Sequence, residues 1–184
     1  SSPVLVLKSD RPSRVHRAGA MDVIAVKIFD AKGKVTGERR FAGLFTSSAY
    51  HASPRDIPLL RRKVEAVIDR AGYDPASHDG KALINIIETH PRDELFQADE
   101  DTLFATATGG LQLQERQRVA LFARPDAAGR FVSCLVYAPR DSYDTDLRRR
   151  FAAILERAYR GTVDSFSVNV GDESVLARVL FILR

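Results

Sequence analysis

Cysteine is nearly absent: the 184 residues contain one, Cys134, set in an apolar run. A single thiol excludes an internal disulfide and a cysteine zinc site. In that setting Cys134 reads as a small core residue rather than a nucleophile. Long hydrophobic runs are missing too. None approaches the roughly 18 residues needed to span a bilayer. The opening Ser1-Ser2-Pro3 lacks the charged region and apolar core of a signal peptide. No membrane partner is expected, and the cytoplasm is the expected compartment. Neither sign of charge dominates, with 28 Lys and Arg against 24 Asp and Glu and a net charge of +4. The two basic triplets, Arg61-Arg62-Lys63 and Arg148-Arg149-Arg150, fall in helical patterns and read as solvated faces. A groove binder concentrates its charge, so no nucleic-acid partner is expected.

Cofactor fingerprints are also lacking. A dinucleotide fold needs a Gly-rich turn between a strand and a helix, with an acid roughly 20 residues on. The one Gly pair, Gly109-Gly110, lies in a helical pattern with no strand before it. No Gly-Lys-Ser/Thr phosphate loop occurs. The four histidines, His16, His51, His78 and His90, do not form a metal pattern. His90 with Glu88 and Asp93 comes nearest, but Pro91 breaks that triple. Ser47 and His51 lack a third orienting group. Glu94, Asp99, Glu100 and Asp101 cluster at a loop and a helix start, where acids favour the dipole. His78-Asp79-Gly80 shapes a helix start. No catalytic, cofactor-binding or metal-binding residue is therefore assigned.

What is present is an ordinary globular balance, 45% hydrophobic and 28% charged, enough for one domain or two small ones. The chain opens with β patterns. They are Val4–Leu7, a turn at Asp10–Ser13, a short strand over Arg14–Arg17, and long strands at Met21–Phe29 and Val35–Thr46 joined by a turn through Gly33. Helices follow. One has Pro58 in its first turn, a stripe from Leu59 to Ala71 and a stop at Gly72. A second runs from Lys81 to Thr89, with Ser77 or Asp79 as cap. A short turn covers Arg92–Phe96. A third helix, capped by Asp99 or Asp101, runs to about Gln114, weakened by Gly109-Gly110. A polar stretch at 114–118 separates this from a ββαββ block. Its strands are Arg118–Arg124, Phe131–Tyr137, Phe166–Val170 and Val175–Leu183. Its helix opens at Asp144 or Thr145 and closes at Gly161. The fold class is α+β, with mixed or antiparallel sheets and helices in two small modules, 1–116 and 117–184. The hairpin strands and the last strand should leave sheet edges free for neighbouring modules or another copy. Arg140, Asp141 and Tyr143 stand where a strand feeds a helix N-terminus, a place that suits a small effector or an interface. The absence of an initial Met and the stop at Arg184, directly after an apolar strand, suggest a piece of a longer polypeptide.

Several strings then occur in a telling order. They are FAGLFTSSAY (Phe41–Tyr50), SPRDIPLLRRKV (Ser53–Val64), SHDGKAL (Ser77–Leu83), PRDELF (Pro91–Phe96) and GRFVSCLVY (Gly129–Tyr137), running on through Asp141 to Arg150. Together they resemble the N-terminal half of the large bacterial NAD-specific glutamate dehydrogenases. The resemblance implies a parent that converts L-glutamate, NAD and water to 2-oxoglutarate, ammonia and NADH. It places the catalytic lysine, aspartate and Rossmann domain beyond this chain, so the segment itself would be inactive and hold no cofactor, with NAD bound elsewhere in the parent. It further implies an ACT-like, ferredoxin-like C-terminal module and a PAS-like or irregular first module, serving oligomerisation and effector sensing. The ββαββ order departs from the usual βαββαβ of such modules. Expected partners are other domains of the parent, further copies and a small-molecule effector. The competing expectation is an amino-acid or nucleotide sensor independent of any dehydrogenase.

Overall fold

The computed structural model describes residues 3–15, 19–171 and 174–184. Of the short strand expected at Arg14–Arg17, residues 16 and 17 lie outside them, and Arg14 and Val15 are not in a strand. The elements in order are β1 (Val4–Pro12), β2 (Ala20–Phe29), β3 (Val35–Gly43), α1 (Ser47–His51), α2 (Leu60–Ala71), α3 (His78–Glu88), α4 (Arg92–Gln97), α5 (Glu100–Glu115), β4 (Ala120–Pro125), β5 (Val132–Pro139), α6 (Thr145–Tyr159), β6 (Val163–Asn169) and β7 (Leu176–Leu183), with 3₁₀ turns at Pro54–Asp56 and Arg140–Ser142. The class is α+β, and the strand pairings are antiparallel. Among the described residues, no helix is long and apolar enough to cross a membrane.

The chain forms two compact units, residues 1–65 with 92–98, and 66–91 with 99–184. In the first, the sheet order is β1-β2-β3. Here β1 reaches Pro12, which pairs with Ala20, so the residues expected to turn at Asp10–Ser13 mostly extend the strand. Pro12 is tolerated there because β1 is an edge and its last residue need not donate. Strand β2 is central and holds the buried Ala25 and Asp22, while β3 is almost wholly exposed. The edges are therefore β1 and β3, not both hairpin strands. Leu59 takes a left-handed φ of 70° just before α2, so Pro58 belongs to the entry turn and not to the helix. Burial of Leu60 and Val64 on the first turns of α2 holds that conformation in place.

In the second unit the order is β4-β5-β7-β6. The last strand is thus central, against expectation, and β4 and β6 are the edges. The register explains it: β7 is apolar but for Arg178 and pairs with β5 from Val132↔Leu183 to Pro139↔Leu176. A strand buried on both faces belongs inside the sheet. One face packs on α6 through Cys134, Val136, Leu155, Val179, Phe181 and Leu183. Cys134 is fully buried in that core. The other face meets α5 through Leu113, Leu135, Tyr137 and Leu176. Burying side chains as large as Tyr137 and Phe181 contributes about 1.5–3 kcal/mol each. The Gly109-Gly110 pair that weakens α5 by propensity is required by this contact. A Cβ on Gly109 would lie 2.6 Å from the Phe122 ring, and one on Gly110 3.0 Å from the Tyr137 hydroxyl.

Helix caps follow the sequence closely. The side chains of Ser77, Asp99 and Asp144 accept from the Gly80, Thr102 and Leu147 amides. The end of α6 differs from expectation. Arg160 takes the left-handed position at φ 54°, and Gly161 follows it. Gly161 is needed for a different reason, since its Cβ would stand 2.6 Å from the Arg184 carbonyl oxygen. Gly80 is tighter still: a Cβ there would fall 2.0 Å from the Asp74 carbonyl oxygen. Exposed helical Gly→Ala changes stabilise by up to about 1 kcal/mol. Gly80→Ala should instead destabilise by about 1–3 kcal/mol, the usual range for overpacking. Thermal unfolding tests this, and a raised midpoint would refute the contact.

Candidate functional site

The loop predicted from sequence is tied down by its backbone. Strand β5 ends at Pro139, and Arg140–Ser142 form a 3₁₀ turn. The Arg140 amide donates to the Val175 carbonyl at 3.0 Å, and its Nη1 donates to the Gly171 carbonyl at 3.2 Å. Arg140 thus fastens this loop to the β6–β7 connection. Tyr143 donates its amide to the Arg140 carbonyl and packs its ring on the α6-side core. Burial pushes the Tyr143 hydroxyl above its ordinary pKa. Asp141 is exposed. The first turn of α6 is already capped, because Asp144 Oδ1 accepts from the Leu147 amide at 2.6 Å. An anion approaching that helix end would meet the Asp144 carboxylate, so a ligand here would have to use Arg140 and the Tyr143 side chain more than the helix amides.

The other sequence candidates resolve into structural roles. His51 Nδ1 lies 2.8 Å from the Ser47 carbonyl oxygen and 3.2 Å from its hydroxyl, inside one turn of α1. Such local bonding leaves no oriented base. Among the described residues no three metal-ligating side chains come together, the Glu88, His90 and Asp93 triple included. Asp99 is a cap, and Asp101 pairs with Arg70 at 2.5 Å on the surface.

Two polar clusters went unseen in the sequence. In the first unit Lys8 Nζ lies 2.6 Å from Asp22 Oδ1 and 3.0 Å from Asp93 Oδ1, with the Tyr50 hydroxyl donating to Asp93 at 3.1 Å. In the second unit His90 Nδ1 is buried without a hydrogen-bond partner, and the Arg178 side chain acts on both His90 and the Tyr137 hydroxyl. His90 is 6% exposed. Its burial, reinforced by the Arg178 and Arg124 charges, lowers its pKa to about 3. The members of each cluster come from distant segments, so no local spacing could have announced them.

Two family models match the chain. One is described as glutamate dehydrogenase, helical motif 1, over residues 57–116, and the other as glutamate dehydrogenase, ACT2 domain, over residues 120–184. The chain belongs to the NAD-specific glutamate dehydrogenase family. A relative of that name from Halomonas elongata is 48% identical over 177 residues, which is 96% of this chain. Its counterparts from Pseudomonas aeruginosa and Mycobacterium tuberculosis are 45% and 39% identical over 99% and 98% of the chain. The chain spans 11% of the length of each of these relatives. Within the glutamate dehydrogenase family, then, the ββαββ unit answers to an ACT2 domain. The helices from α2 to α5 answer to the helical motif.

Proposed function

We propose that this chain is a non-catalytic regulatory and oligomerisation segment of an NAD-dependent glutamate dehydrogenase. The parent polypeptide converts L-glutamate, NAD and water to 2-oxoglutarate, ammonia and NADH in the cytoplasm. Along the sequence the proposed modules are 1–116 and 117–184, a division at the junction of the two matched families. It is not that of the compact units, which assign α3 and α5 to the second. The modules contact other domains of the parent and further copies of it. The observation that carries this role is the match of a helical motif and an ACT2 domain, in that order, along 57–116 and 120–184. The loop of Arg140, Asp141 and Tyr143 is the proposed effector or interface contact, since Arg140 couples it to the β6–β7 connection.

The test uses both the chain and its parent. The isolated chain should produce no NADH from L-glutamate and NAD. In the parent, Arg140→Ala with Tyr143→Ala should change the oligomer mass by light scattering or the response to added amino acids. NADH formation by the isolated chain would overturn the non-catalytic role. An unchanged mass together with an unchanged effector response would overturn the regulatory one.

A further inference from the structure

The strands at the sheet edges are β1, β3, β4 and β6, and they are not equally guarded. Sheets protect an unpaired edge with charges, proline or bulges, because its free amides and carbonyls accept another strand. Here β1 carries Asp10, Arg11 and Pro12, β3 carries Arg39 and Arg40, and β4 ends in Arg124 and Pro125. On β6 the protection is confined to the start, at Asp164 and a bulge between Val163 and Ser165. From Phe166 to Asn169 the strand has no charge and no proline, and every residue is exposed. Its one strand partner among the described residues is β7. The side chains alternate as in a half-buried strand, yet the apolar set is not buried. Phe166 and Val168 stand opposite Phe181 and Val179, which belong to the core beneath α6. Both therefore lie on the α6 face, where they are 48% and 41% exposed. Dimensions account for this. Four strands about 4.8 Å apart make a sheet wider than one helix about 10 Å across will cover.

We propose that the β6 edge takes an extended acidic segment of another polypeptide as a fifth strand. Backbone pairing along Phe166–Asn169 holds the segment, and its side chains on the α6 face are apolar over Phe166 and Val168 and acidic beside Arg148. Charge selects this occupant. The Arg148 guanidinium lies 4.1 Å over the Phe166 ring, and among the described residues no carboxylate pairs with it. The two carboxylates of α6 are engaged elsewhere: Asp146 pairs with Arg149 at 3.4 Å, and Glu156 Oε1 accepts from the Val163 amide at 2.9 Å. A second copy suits the edge poorly. Pairing β6 with itself would bring two α6 helices onto one face, each with four arginines against two carboxylates. This surface is separate from the Arg140 loop and does not depend on the regulatory role proposed above.

The probe is the capped peptide acetyl-TVTETVT-amide, whose pattern sets two valines and one glutamate on the same face in either strand direction. Added to the ¹⁵N-labelled 184-residue chain, it should bind saturably with a midpoint of about 1 mM. It should slow hydrogen exchange at alternate amides within Ser165–Asn169 and leave those of β4 unchanged. The same peptide with lysine in place of glutamate should bind about fivefold more weakly, and Arg148→Gln should remove that preference. Phe166→Ser should weaken both peptides about threefold. Equal binding of the two peptides, unaltered β6 amides at saturation, or a preference that survives Arg148→Gln would overturn the proposal. So would a chain found dimeric by light scattering with those β6 amides already slow to exchange, since a second copy would then hold the edge.

Discussion

Asp22→Ala should destabilise the first unit by about 2–4 kcal/mol, the range for leaving one partner of a buried charged pair alone. Asp22 is 4% exposed and uses both oxygens. Oδ1 accepts from Lys8 Nζ at 2.6 Å, and Oδ2 accepts from the Phe45 amide at 2.9 Å, where the chain leaves β3 for α1. Lys8 also reaches Asp93 on α4, and Tyr50 on α1 donates to the same carboxylate. One aspartate thus fixes the ammonium that joins β1, β2, α1 and α4. Burial alone would lower the Lys8 pKa, but the Asp22 hydrogen bond and the Asp93 charge outweigh it and hold it well above its ordinary value. A lysine whose folded pKa is raised contributes its stability in full below its unfolded value. That contribution is lost only as pH rises through the folded one. At neutral pH the network is therefore at full strength. Urea unfolding gives the magnitude, and amide exchange at Val23–Ala25 shows whether the loss is local to β2. Lys8→Met makes a sharper contrast. It leaves the buried Asp22 carboxylate without the cation it is paired with, so it should cost at least as much as Asp22→Ala. An Asp22→Ala effect within about 0.5 kcal/mol, as for an ordinary surface change, would sink this account.

The sequence shows the parts of the fold that are local and hides those that are not. Periodicity and capping residues placed α3, α5 and α6 within a few positions, because Ser77, Asp99 and Asp144 act on amides three residues away. The ββαββ order was legible for the same reason. Strand order was not: β7 lies between β5 and β6 through pairings that join distant segments. Left-handed positions were also misplaced, at Leu59 and Arg160, since tertiary burial of the flanking helix overrides the preference for glycine. The candidate loop of Arg140, Asp141 and Tyr143 could be seen as a strand-to-helix junction, but its tie to Gly171 could not. The Lys8 and His90 clusters left no trace, because each is assembled from segments with no common spacing. Their charged and aromatic members look, one at a time, like ordinary surface or core residues.

His90→Leu should make the chain less sensitive to acid and, at pH 5, more stable than the native protein by about 2 kcal/mol. His90 is held neutral by burial, with the Arg178 and Arg124 cations adding to the penalty for protonation, and its folded pKa is about 3. In the unfolded chain it titrates near 6.5. Between these values the unfolded state binds a proton that the folded state refuses, so stability falls as pH drops from 6.5 towards 3. The charges that act on the ring, those of Arg178 and Arg124, are both positive, so neither compensates its protonation across this range. Leucine removes both the titration and the unpartnered Nδ1 at nearly the same volume. At pH 7.5 the variant should therefore lie within about 1 kcal/mol of the native chain. Urea unfolding of both proteins from pH 7.5 to 5 isolates the His90 contribution, because the carboxylates common to the two cancel in the difference. A difference that stays constant across that range would mean that His90 takes up its proton as readily in the folded chain as in the unfolded one. The surroundings of His90 would then be more open to water than its 6% exposure allows.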